Sequence, residues 1–106
     1  MSSSGFEPFG SIAVVGLGLI GGSFAMDVRR LGLANQIIGY DNNAAYRKEI
    51  SSLNLVDHLA AAPDEKLSEA ELVLLAVPVK AFAEVLAQIR PHLSSSAIVT
   101  DVGSVK

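Results

Sequence analysis

Three glycines and one aspartate carry the chemistry that this sequence announces. Gly16, Gly18 and Gly21 stand in the spacing G-x-G-x-x-G within Val15-Gly16-Leu17-Gly18-Leu19-Ile20-Gly21-Gly22. Asp41 follows about 20 positions beyond the last of them. Glycines so spaced can bring a bare backbone against a pyrophosphate. The first permits a tight turn, the second leaves no side chain in the way, and the third lets a helix pack close. The phosphates would meet free N–H groups and the positive end of a helix dipole. A carboxylate about 20 residues on accepts hydrogen bonds from the ribose hydroxyls, and a 2′-phosphate would meet like charge there, so NAD is expected rather than NADP. The plain alternatives are a turn that binds nothing and, for Asp41, an N-cap or turn residue before a helix.

The pattern matters only where a strand enters the turn and a helix leaves it. Ile12 to Val15 is a short apolar, partly β-branched run that predicts a buried strand. Phe24, Val28 and Leu31, with Ala25 alongside, recur at helical spacing, and Gly32 stands where a left-handed cap is expected. The first strand–turn–helix therefore spans about Ser11 to Leu31. A second strand, Gln36 to Tyr40, ends at Asp41. Asn43 suits the N-cap of a second helix whose apolar face would be Tyr46, Ile50 and Leu53, with Asn54 as a left-handed C-cap. Arg47 and Lys48 fall on that helix and are expected on its solvated face.

A short edge strand is expected around His58-Leu59-Ala60, then a turn or short helix from Pro63 to Leu67. Glu71 to Val77 is nearly all apolar, as suits a parallel strand covered on both faces. Pro78 ends it and opens a helix with the face Val79, Phe82, Val85, Leu86 and Ile89. Ala97 to Thr100 is the last strand, followed by Asp101-Val102-Gly103-Ser104-Val105-Lys106. Strands alternating with helices predict an α/β, Rossmann-like, doubly wound parallel sheet of order 3-2-1-4-5 in three αβα layers. Ligands should bind beyond the carboxyl ends of the strands, where Gly16–Gly21, Ala76–Val79 and Asp101–Lys106 converge. The expected cofactor contacts are Gly16, Gly18, Leu19, Ile20, Gly21, Asp41, Val77, Pro78 and Gly103. Position alone reads Ser104 as a turn residue or a cap. His58 and His92 read as structural or surface groups.

Composition narrows the classes further. The 106 residues suffice for one domain, with residues 1–10 as a flexible tail and residues 11–106 as the folded unit. Half of the residues are hydrophobic, which speaks against disorder. The net charge of −3 and the lack of a basic cluster speak against nucleic acid. There is no cysteine and no metal-ligand spacing, so no metal site is expected. No apolar run is long enough for a membrane span, and the first residues do not form a secretory signal, so a cytoplasmic setting is expected.

The segment Gly16-Leu17-Gly18-Leu19-Ile20-Gly21-Gly22-Ser23 resembles the opening of prephenate and arogenate dehydrogenases of tyrosine biosynthesis. So do Ile38-Gly39-Tyr40-Asp41, Leu75-Ala76-Val77-Pro78-Val79 and the run from Ile98 to Lys106. The resemblance extends from Ile12 onward. Reductases acting on β-hydroxy acids, a related alternative, usually have methionine where Ile20 stands and a different stretch after the last strand. The resemblance implies an NAD(P)-dependent oxidative decarboxylation in which hydride leaves the ring carbon bearing the hydroxyl. It assigns Ser104, in Gly103-Ser104-Val105-Lys106, a catalytic part beside the family's histidine and the substrate hydroxyl. That histidine lies in a Gly-His-Pro motif further on, and the family's helical domain, which forms a homodimer and much of the substrate site, lies further on too. The expectation is a nucleotide-binding domain that binds NAD but does not turn over prephenate or arogenate by itself. A free-standing NAD-binding module is the alternative from another class. An exposed apolar face is expected where a helical domain would dock.

Overall fold

The computed structural model describes residues 8–101. Strand β1 (Phe9–Val15) leads through the glycine turn into helix α1 (Leu19–Leu31). Then follow β2 (Ala34–Tyr40), α2 (Ala44–Ser52) and the short β3 (His58–Ala60). Strand β4 (Leu72–Leu75), helix α3 (Phe82–Ile89) and β5 (Ile98–Asp101) complete the order. Short 3-10 helices stand at Glu65–Glu69, Val79–Ala81 and Arg90–His92. The five strands form one sheet of order β3-β2-β1-β4-β5, every pair parallel. The expected strand order is the observed one.

Alternation along β1 divides the core between two faces. Ile12 and Val14 point into a cluster with Leu17, Ala25, Val28, Ile37, Ile50 and Leu55, under α1 and α2. Ala13 and Val15 join Ile38, Tyr40, Leu67, Val73, Leu75 and Ile89 on the opposite face, under α3 and the 3-10 helix Glu65–Glu69. Each fully buried isoleucine contributes about 1.5–3 kcal/mol relative to exposure, and Ile12, Ile37, Ile38 and Ile89 are all at most 2% exposed.

The caps follow the sequence. Gly32 is left-handed (φ +65°), and Asn54 is the one non-glycine residue with positive φ (+53°) among the described residues. Asn43 caps α2 by accepting from the Ala45 and Tyr46 N–H groups at 2.9 and 3.1 Å.

Several boundaries differ from expectation. The first strand begins at Phe9, so Phe9 and Gly10 belong to the sheet and not to a tail. Phe9 donates to the Leu33 carbonyl at 2.9 Å, and the Gly10 N–H donates to the Glu71 carboxylate at 3.0 Å. Residues 1–7 lie outside the described residues. Strand β4 is shorter than Glu71–Val77, because the chain leaves the sheet at Ala76 to pass the glycine turn. Phe24 and Leu31 are 36% and 55% exposed. The stripe of α1 that meets the sheet is the narrower Gly21, Ala25 and Val28. Val79, in a 3-10 turn before α3, is exposed, as is Ile98 on β5. No helix among the described residues is long and apolar enough to cross a membrane.

Candidate nucleotide site

The carboxyl ends of β1, β2 and β4 surround an open cavity of about 450 Å³. Its floor is the glycine turn. Gly16 has φ +99°, and a Cβ there would lie 2.5 Å from the Ala76 carbonyl oxygen. A Cβ on Gly21 would lie 1.7 Å from the Gly16 carbonyl oxygen, so only glycine lets α1 seat its first turn on the end of β1. Gly18 is different: its φ is −69°, and a Cβ would make ordinary contact, 3.4 Å, with the Tyr46 ring. Steric need thus explains Gly16 and Gly21, whereas Gly18 leaves space at the cavity. Gly18 is also the N-cap of α1, which has no side-chain cap and no acidic residue in its first turn. That terminus keeps N–H groups and a positive dipole end for an anion.

Asp41 closes the turn from the β2 side. One carboxylate oxygen accepts the Leu17 N–H at 2.6 Å, and the other accepts the Asn43 N–H at 2.8 Å. Each oxygen retains a second lone pair for a hydroxyl donor. Asn43, not Asp41, is the helix cap. The Asp41 main chain is held as well: its N–H donates to Ala60, and its carbonyl accepts from Arg47 Nη1 at 2.9 Å. Arg47 is therefore half-buried against this loop, not free on a solvated face as the sequence suggested.

Gly16, Gly18, Asp41, Val77 and Pro78 all line the cavity. Gly21 lies buried beneath the turn. Leu19 and Ile20 sit on the outer surface of the first turn of α1, 89% and 41% exposed, and are not among the lining residues. Gly103 and Ser104 lie outside the described residues. Unanticipated lining comes from Tyr46 on α2, Ala61 and Pro63 after β3, and Ala81 and Val85 near α3. Tyr46 and Val85 occupy apolar helical positions that periodicity assigns to the core.

A polar cluster stands behind the cavity. The Tyr40 hydroxyl donates to Asp64 at 2.6 Å, and His58 Nε2 lies 2.9 Å from the other Asp64 oxygen. Burial, then the hydrogen bond to Asp64, pushes the Tyr40 phenol far above its ordinary range. Burial pushes the Asp64 carboxyl up, but hydrogen bonds from Tyr40, His58 and the Lys66 N–H outweigh it and hold the group below its usual value.

A glycine cradle, an uncapped helix N-terminus and an anchored carboxylate at a strand-order switch point define a dinucleotide-binding α/β domain. The family described as prephenate dehydrogenase, nucleotide-binding domain, matches residues 24–106. The chain belongs to that family. It is 39% identical over 98 residues to the cyclohexadienyl dehydrogenase of Zymomonas mobilis, covering 92% of this chain and 33% of that protein. Among solved structures it is similar to prephenate dehydrogenase from A. aeolicus in complex with hydroxyphenyl propionate and NAD+, with TM-score 0.81 and 33% identity. That match covers 90% of this chain and 34% of the other. Synechocystis arogenate dehydrogenase matches with TM-score 0.78 and 41% identity, covering 91% of this chain and 34% of that one. The chain thus spans about a third of the length of these relatives.

Proposed function

We propose that this chain is the NAD-binding domain of a dehydrogenase that oxidatively decarboxylates prephenate or arogenate. The observation that carries the nucleotide reading is Asp41, whose carboxylate is pinned to the glycine turn at Leu17 with acceptor capacity left over. In this reading the N-terminus of α1 and the bare backbone at Gly18 hold the pyrophosphate. Asp41 accepts the adenosine ribose hydroxyls, and Pro78 and Val77 pack against the nucleotide. NAD, when bound, supplies a two-electron acceptor for hydride.

The substrate reaction balances on that acceptor. The ring carbon bearing the hydroxyl loses hydride and the hydroxyl loses its proton; the ring carboxylate then leaves as carbon dioxide, its electron pair makes the ring an aromatic phenolate, and the phenolate oxygen takes a proton back to give the phenol. Strand β5 pairs Asp101 with Leu75, next to Ala76 and Val77 of the cavity lining. By match to the family's Gly-Ser-Val-Lys motif, Gly103 contacts the cofactor and Ser104 hydrogen-bonds the substrate hydroxyl. The proton acceptor, the homodimer contacts and most of the substrate pocket belong to a further helical domain, and the setting is the cytoplasm.

Calorimetric titration of the chain with NAD and with NADP tests the reading. Saturable binding of NAD ahead of NADP, lost in Asp41→Ala, is the expected result. Equal or absent binding of both overturns it.

A further inference from the structure

The wall of the cavity between β3 and the 3-10 helix Glu65–Glu69 is only a few residues long. Ala61 and Pro63 line the cavity there. Both ends of this short wall are tied to the same pair of residues at the end of β2. The Ala60 carbonyl accepts the Asp41 N–H at 3.2 Å, and the Asp64 carboxylate accepts the Tyr40 hydroxyl at 2.6 Å. Asp64 also accepts the Lys66 N–H at 3.1 Å, as the cap of its own short helix, and meets His58 Nε2 at 2.9 Å. Capping accounts for the Lys66 bond alone. It does not require a hydroxyl from β2 or an imidazole from β3. Tyr40 is 1% exposed, and its ring meets His58 edge-on at 6.1 Å, so the hydroxyl has little freedom to turn elsewhere.

We propose that Asp64 is a positioning residue of the nucleotide site: through Tyr40 and His58 it sets the Ala61–Pro63 wall against which the adenine half of a dinucleotide rests. The inference rests on the nucleotide reading of the cavity, because Asp41 assigns the adenosine ribose to this side. Asp64 itself does not touch the nucleotide. Its charged and titratable neighbours are Tyr40 from β2, His58 from β3, and Glu65, Lys66 and Glu69 from the short helix, where Lys66 is paired to Glu69 at 3.2 Å. The hydrogen bonds that Asp64 receives favour its ionised form.

The test is calorimetric titration of this chain with NAD and with AMP, in parallel with thermal melting, for the wild type, Tyr40→Phe, Asp64→Ala and Asp64→Asn. Tyr40→Phe is nearly isosteric and keeps the test alive if Asp64→Ala does not fold. Tyr40→Phe and Asp64→Ala should each weaken NAD and AMP alike, by about three- to tenfold. Asp64→Asn keeps an acceptor for Tyr40 and should bind within about twofold of the wild type at neutral pH. Wild-type affinity for AMP in Tyr40→Phe, or a loss in Asp64→Asn as large as in Asp64→Ala, overturns the inference while NAD binding stands. A wild-type chain that binds no NAD overturns the nucleotide reading itself, and the inference with it.

Discussion

The Asp41 carboxylate accepts the Leu17 N–H at 2.6 Å, across 24 residues of sequence. The acidic group that would meet a ribose is thus also a brace for the glycine turn. On the proposed reading, ligand recognition and local folding share one side chain. Asp41→Ala should lower NAD affinity by at least tenfold and also lower stability by about 1–3 kcal/mol, since a backbone donor loses a charged acceptor. Titration and chemical denaturation of the same preparation check both. A mutant that loses binding with an unchanged denaturation midpoint would show that the brace contributes nothing.

The glycines should rank by their surroundings. Alanine at Gly21 would put a Cβ 1.7 Å from a backbone oxygen, and at Gly16 2.5 Å from another with φ at +99°. Gly32 has φ +65° but nothing within 4 Å of its Cβ position. Gly32→Ala should therefore cost only about 1 kcal/mol. Gly16→Ala and Gly21→Ala should cost more than about 3 kcal/mol or prevent folding, as strain and overpacking combine. Urea midpoints give the order, and a Gly32→Ala mutant as damaged as the other two would contradict it.

Asn43 offers a cleaner local test. Its side chain is the N-cap of α2, accepting two N–H groups. Asn43→Ala should cost about 1 kcal/mol, and Asn43→Ser much less. Thermal melting separates the two, and equal losses would show that the cap bonds are not what stabilises the helix.

Stability should fall at both extremes of pH for reasons that lie in one cluster. The folded protein holds Asp64 below its usual carboxylate value, so its contribution is present above that value and disappears as pH falls through the folded one. Tyr40 is shifted upward, so its contribution is present below the ordinary tyrosine range and is lost as pH rises toward the folded value. Tyr40→Phe should remove the alkaline loss, and Asp64→Asn should remove part of the acid loss. Denaturation midpoints across pH check both signs.

What could be read in advance was local. A strand, a glycine turn, a helix and a capping glycine within Ile12–Gly32 announce themselves by period and residue type, and parallel order follows from alternation. Asn43 and Asn54 were legible for the same reason, because caps depend on nearby backbone. The side chains around the cavity were not. Tyr46 and Val85 sit at helical positions where the core and a cleft look alike, since both want an apolar face. Arg47 reads as solvated charge until the loop carbonyl of Asp41 is seen beside it. The Tyr40–Asp64–His58 cluster joins three elements through distances that no spacing encodes. Ile98 looks buried in the sequence, but it lies on the edge strand β5 and is 59% exposed.

The all-parallel sheet has a kinetic consequence. Strand β1 is central, and its glycine turn is bounded by Tyr40 of β2 on one side and Ala76 after β4 on the other. No hairpin can form this arrangement, and each pairing waits for a crossover of many residues. Such topologies reach their transition state slowly, with long loops closed before contacts repay the entropy. The cavity exists only once both neighbours have docked. A nucleotide therefore cannot act as a folding nucleus here. Its presence should leave the refolding rate nearly unchanged and slow unfolding, so the bound chain gains lifetime and not speed.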